Sequence, residues 1–261
     1  MDPSQQQMVP AGAPQGGPPM GMMQPQGGGS VRHEITHGPA FAMLRLDLAP
    51  NQVVTAEAGA MVARHEQVTM ETRMNASPRA GFFAKVAAFF IAIIRRVVGG
   101  ETFFVNDFAS AQGGSVWLAP AMSGSIQHRR MNGETIVLSS GAYLCHLGDF
   151  DVKMRWGGLR SLLAKEGLFM LEVSGRGDLF FTSYGGIHAI DVNGSYILDN
   201  GHLVGFEGNL TFDIKSAGGG FMGFVASGEG LVAEFKGQGR LYIQSRNVSA
   251  LVDWLSPMLP P

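Results

Sequence analysis

Gly175-Arg176-Gly177-Asp178-Leu179-Phe180-Phe181 and Gly237-Gln238-Gly239-Arg240-Leu241-Tyr242-Ile243 share one pattern. Two glycines flank one residue, a polar residue follows, and a run of large apolar side chains closes the stretch. A looser copy is Gly114-Ser115-Val116-Trp117-Leu118. Gly114 to Gly177 is 63 positions and Gly177 to Gly239 is 62, so a unit of roughly 60 residues recurs along the chain. Glu172 and Glu234 hold equivalent positions in the last two copies.

A second pattern keeps step with the first. Gly124-Ser125-Ile126 leads to Met131-Asn132-Gly133-Glu134-Thr135-Ile136-Val137 and then to Gly141-Ala142-Tyr143-Leu144. Gly185-Gly186-Ile187 leads to Val192-Asn193-Gly194-Ser195-Tyr196-Ile197-Leu198 and then to Gly201-His202-Leu203-Val204. A weaker copy runs from Leu46-Asp47-Leu48 through Pro50-Asn51 to Gly59-Ala60-Met61-Val62. Asn132-Gly133 and Asn193-Gly194 lie between apolar runs. Asn-Gly accepts positive φ at both central positions of a type I′ turn, so a hairpin is expected at each. Ser139-Ser140-Gly141 and Asp199-Asn200-Gly201 read as further turns. Short strands with regular turn signals predict an all-β sandwich or barrel-like fold.

Composition agrees. The 261 residues include 37 glycines, 45% hydrophobic residues and 15% charged residues, with a formal net charge of −2. That supplies a core and many turns, and does not have the basic excess expected for nucleic-acid binding. The expected organisation is a disordered Pro/Gly/Gln/Met-rich tail over 1–30, a first β unit over 31–122, a second over 123–184, a third over 185–255 and a short tail over 256–261. The tail also has a reading as an interaction segment. No secretory signal is read at the N-terminus, and the one cysteine, Cys145, reads as a small buried hydrophobe. A cytoplasmic location is expected, with the membrane periphery as the alternative.

One segment departs from strand patterning. Over 82–98 the chain is apolar almost all round a helix, with Phe82, Phe83, Phe89, Phe90, Ile93 and Ile94 followed by Arg95 and Arg96. Its uncharged stretch, Val86 to Ile94, is too short to span a bilayer, which needs about 20 apolar residues. These eight residues are the candidate contact with a membrane surface or a protein partner, and burial in protein is favoured.

Taken together, Gly99-Gly100-Glu101-Thr102-Phe103-Phe104, Ser115-Val116-Trp117-Leu118-Ala119-Pro120, Gly228-Glu229-Gly230-Leu231-Val232 and Gly237 through Arg246 resemble the family named for altered inheritance of mitochondria, over roughly residues 31 to 255. The resemblance implies three small β-domains similar to the tryptophan RNA-binding attenuator protein, a short double-stranded β-helix variant. It also implies a homotrimer whose nine domains close a ring. Mitochondrial relatives are linked to inner-membrane organisation, and no enzymatic activity is established for the family.

Chemistry-bearing residues are sparse in pattern. His33, His37, His65, His128, His146, His188 and His202 are scattered, and they do not recur at equivalent positions. Glu172 and Glu234 are expected to share a structural role, such as pairing with Arg176 or Arg240. The glycine pairs have neither the third glycine nor the Lys-Ser/Thr of phosphate loops. His128-Arg129-Arg130 reads as a solvated turn. Asn132, Gly133, Asn193, Gly194, Gly177 and Gly239 are taken as structural turn residues. No catalytic residue, cofactor or metal is assigned, and nucleic acid is not an expected partner. The expected function is a non-enzymatic scaffold, a homotrimeric ring with an unknown protein partner. The alternatives are a membrane-surface protein using 82–98 and a ligand- or RNA-binding ring.

Overall fold

Glycines with left-handed backbone sit in the middle of long strands, and this decides the architecture. The computed structural model describes residues 31–74, 104–156, 169–216 and 231–259. The strands are β1 (Arg32–Thr36), β2 (Met43–Leu48), β3 (Val53–Glu57), β4 (Met61–Arg64), β5 (Thr69–Met74), β6 (Phe104–Ala109), β7 (Gly114–Leu118), β8 (Ile126–Ser139), β9 (Tyr143–Trp156), β10 (Phe169–Thr182), β11 (Ile187–Asp199), β12 (Leu203–Ser216) and β13 (Leu231–Gln244). A helix, α1 (Val248–Leu255), follows. The fold is all-β in its body, with two antiparallel sheets ordered β1-β2-β7-β4 and β11-β13-β12-β8-β10-β9-β3-β6-β5.

The long strands fold over at mid-length. Asp199 pairs with Val232 and Leu203 with Ile243, so the two partners are 11 residues apart on β13. A straight strand would separate them by about 36 Å, whereas the step from Asp199 to Leu203 reaches at most about 14 Å. The β8–β9 connection makes the same demand of β10, with Ser139 on Met170 and Tyr143 on Phe181. Each of the six long strands carries a positive-φ glycine near its middle, among them Gly133, Gly177, Gly194 and Gly237.

The hairpins expected at Asn132-Gly133 and Asn193-Gly194 are therefore corrected. Both pairs lie inside strands, β8 and β11, with φ of 116° at Gly133 and 117° at Gly194. The glycines do adopt positive φ, as an Asn-Gly turn would. Here it bends a strand whose ladder continues on both sides, because the partners β10 and β13 bend at the same level. Gly177 and Gly239 likewise lie within β10 and β13 rather than at turns. The true connections are 3-10 turns at Ser140–Ala142 and Asn200–His202, at the expected Ser-Ser-Gly and Asp-Asn-Gly turns.

In the N-terminal segment each long strand is replaced by two short ones. The orders β2-β7-β4 and β3-β6-β5 match β8-β10-β9 and β11-β13-β12, with the third strand central each time. Alternation on β2 buries Leu44, Leu46 and Leu48. The cores are shared along the chain. Val105, Val204 and Tyr242 join the cluster built on Met131, Ile136, Tyr143 and Phe181.

The tail over 1–30 and the 82–98 segment, with Phe82, Phe83, Phe89, Phe90, Ile93, Ile94, Arg95 and Arg96, lie outside the described residues. Sequence reading missed α1. Its signal is present: Asn247 caps the N-terminus, accepting from the Ser249 and Ala250 N–H groups, and Val248, Leu251, Val252 and Leu255 follow at helical spacing.

Candidate functional site: open strand edges and buried charge at the junctions

Adjacent segments join by short antiparallel ladders that repeat one register. At the first junction β3 meets β9, with Ala56 opposite Cys145 and Thr55 opposite His146. At the second, β8 meets β12, with Leu138 opposite Gly205 and Val137 opposite Phe206. Ala56 and Leu138 each lie three residues before the glycine of their own turn, Gly59 or Gly141. Cys145 and Gly205 each lie four residues after the glycine of the next turn, Gly141 or Gly201.

The equivalent strands at the two ends of the series, β11 and β4, have a partner on one side only among the described residues. Among the described residues β11 is one outer strand of the nine-stranded sheet, with β5 at the other edge, and β4 is one outer strand of the four-stranded sheet, with β1 at the other edge. Apolar side chains on these two edges are open to solvent: Ile197 is 64% exposed and Val62 54%, with Tyr196 and Met61 also exposed, whereas Leu198 is buried. A strand edge carrying apolar side chains is a template for pairing with another chain.

Charge is buried beside the internal junctions. Asp178 on β10 is nearly inaccessible. It accepts from the Val31 N–H at 3.1 Å and from Arg130 Nη1 at 2.7 Å, and His128 Nε2 lies 2.9 Å away. The rings of His33 and His128 are 4.4 Å apart, and both pack on Phe180. Burial lowers the pKa of His33. Arg129 reaches across to Glu207, 2.9 Å from Nη2 to Oε2, and Tyr242 donates to the other oxygen of that carboxylate at 2.9 Å. His128-Arg129-Arg130 is therefore not a solvated turn. It lies within β8, and all three side chains bind carboxylates. Asp178→Asn is expected to cost about 1–3 kcal/mol, because the group that holds Arg130, His128 and the Val31 N–H loses its charge and one of its two acceptor oxygens. Urea unfolding at neutral pH measures it.

At the first junction the buried Tyr143 donates to the Thr55 carbonyl at 3.1 Å. Its single proton is then committed, so the neutral His146 must carry its own proton on Nδ1 and donate to the Tyr143 oxygen at 2.7 Å. Burial drives the His146 pKa down to about 4, with Arg73 adding to the shift. Burial raises the Cys145 thiol, which suits the inert buried residue expected of it.

An open cleft of about 670 Å³ lies between the second and third segments, lined by Arg129, Glu134, Asp191, Glu207 and Arg240. Its charges pair with one another: Arg129 with Glu207, and Arg240 with Asp191 at 2.7 Å. The expected Glu234–Arg240 pair is thus replaced. Glu234 binds Lys236, two residues along β13, and Lys215, which lies diagonally from it on β12 with Asp213 directly opposite. Among the described residues no group of three or more His, Cys, Asp or Glu converges as a metal site. No helix there is long and apolar enough to cross a membrane.

Strands that fold over at mid-length, join edge to edge and, among the described residues, leave β11 and β4 with one side open define an all-β protein of bent antiparallel strands. The model of the mitochondrial biogenesis AIM24 family matches residues 33–246, and the chain belongs to that family. It is 31% identical over 233 residues to an uncharacterized protein of Streptococcus pyogenes serotype M6, covering 88% of this chain and 92% of that protein. A crystal structure of a Streptococcus pyogenes protein is similar at a TM-score of 0.71 and 30% identity, covering 88% of this chain and 100% of that one.

Proposed function

We propose that the protein is a non-enzymatic scaffold that closes into a homotrimeric ring, with β11 of one copy pairing to β4 of the next. The observation that carries this reading is the repeated register. Continued past the third segment, the same register would set Leu198 opposite Ala63 and Ile197 opposite Arg64 of an adjoining copy. Such a contact joins two different edges, so it is head-to-tail and ends only in a closed ring or an open filament. Three copies is the count that the family resemblance implies. The ring would present its surface to a protein partner.

Sedimentation of the full chain tests this. The expected mass is three times the 27.8 kDa of one chain. Ile197→Lys puts a cation opposite Arg64 and a charge on an open edge, which both oppose pairing. It is expected to raise the trimer dissociation constant at least tenfold, about 1.4 kcal/mol. Monomer stability should stay within about 0.5 kcal/mol, because the side chain is exposed. A wild-type protein that sediments as a monomer refutes the ring, and an assembled Ile197→Lys variant refutes the register.

A further inference from the structure

α1 is an apolar helix that buries none of its residues among the described part of the chain. Val252 is 54% and Trp254 61% exposed, Val248 is also open, and Met258 and Leu259 continue the apolar surface beyond the helix. Its one acid is Asp253. An eight-residue helix is far below the length that holds itself in water, so its stability must come from packing.

The fold says where α1 lies. At the start of the first strand of each segment, a backbone N–H reaches to the start of the next segment: Ala42 to the Gly124 carbonyl and Ser125 to the Gly185 carbonyl. The third such donor, the Gly186 N–H, reaches Ser245 Oγ instead. The chain leaving β13 thus stands where a fourth segment would begin. Asn247 then packs on Gly201, where an added Cβ would lie 2.1 Å from its Nδ2, so α1 rises beside the turn that ends β11. At the internal junction the neighbour of that turn is the start of the next segment's second strand. Ser139 Oγ donates to the Val204 carbonyl, and Leu138 faces Gly205. The equivalent strand start in an adjoining copy is Met61–Arg64, whose Met61 and Val62 are exposed.

We propose that α1 is a clasp: its apolar face seats on Met61 and Val62 of the adjoining copy, beside the β11–β4 ladder. The inference rests on the ring reading and goes beyond it, because the ladder alone leaves α1 bare. The occupant is a second copy of this chain, since the one surface that the repeated register brings beside Gly201 is β4.

Two full-length proteins, each carrying the photoreactive residue benzoylphenylalanine at position 197 or at position 252, separate the two claims. Irradiation followed by peptide mapping is expected to join position 197 to the neighbourhood of Arg64, and position 252 to residues 60–64, both between copies. A product from 197 with none between copies from 252 overturns the clasp and leaves the ring standing. No product between copies from either position overturns both. A parallel irradiation with phosphatidylcholine/phosphatidylglycerol vesicles, in which position 252 labels lipid rather than protein, overturns the clasp in favour of a membrane contact. Val252→Asp is expected to raise the trimer dissociation constant at least tenfold with an unchanged monomer melting temperature. An unchanged dissociation constant counts against the clasp.

Discussion

Gly177→Ala is expected to lower the unfolding free energy by roughly 2–5 kcal/mol, the sum of two separate costs. The first is conformational. Gly177 has φ of 143°, outside the range of L-residues, and forcing a side chain into left-handed backbone costs roughly 1–2 kcal/mol. The second is steric. A Cβ there would lie 2.0 Å from the Leu147 carbonyl oxygen and 3.0 Å from Gly148 Cα, both backbone atoms of β9. Neither can yield without shifting the strand, and overpacking of this kind costs roughly 1–3 kcal/mol. Two other glycines separate the costs. Gly194 has φ of 117° with no atom within 4 Å of an added Cβ, so Gly194→Ala should cost only the first, about 1–2 kcal/mol. Gly141 has neither feature, so Gly141→Ala should be near neutral. Urea unfolding of the three variants gives the order directly. Equal losses at Gly177 and Gly194 would show that close approach of β9 and β10 at the bend contributes nothing.

The same glycines show what the sequence could and could not reveal. The spacing of Gly114, Gly177 and Gly239 is a one-dimensional signal, and the matching strand orders carry it into the fold. Asn132-Gly133 was legible as positive φ but not as a bend within a strand. A type I′ hairpin and a folded-over strand ask the same conformation of glycine. What distinguishes them is the partner: Asn132 pairs with Arg176, 44 positions away, and no local pattern carries that. The Glu234–Arg240 pairing failed for the same reason. Arg240 faces Asp191 across β11, and Asp178 draws Arg130 and His128 from β8, so cross-strand register chose the partners. The site was the least legible part. Ile197 and Tyr196 read as ordinary strand residues, and only the sheet order shows that their strand has no neighbour on one side. The repeat contained that information indirectly, because a unit that pairs with its successor leaves the last one unpaired.

Acidification is expected to weaken the first junction by roughly 3 kcal/mol through His146 alone. The ring lies at the β3–β9 contact, opposite Thr55, and packs 4.8 Å from Phe150. Burial, reinforced by Arg73, lowers its pKa from 6.5 to about 4. Between these values the unfolded chain binds a proton that the folded chain refuses, so stability rises with pH across that window. The contribution is complete above about pH 6.5, shrinks as pH falls, and is exhausted below about pH 4, a span worth roughly 3 kcal/mol at 1.36 kcal/mol per pH unit. His33 acts in the same direction, since burial lowers its pKa too. Carboxylates also begin to titrate near the lower limit, so the informative quantity is a difference between two proteins. His146→Gln keeps a neutral polar side chain that cannot take the proton. The wild type is expected to lose about 2–3 kcal/mol more than His146→Gln between about pH 7.5 and pH 4.5, measured by urea unfolding. Equal losses in the two proteins would place the acid sensitivity elsewhere. The loss should also be local: amide exchange of Ala56 and Cys145, whose strands meet beside the ring, is expected to accelerate before exchange in the β11–β13 ladder does.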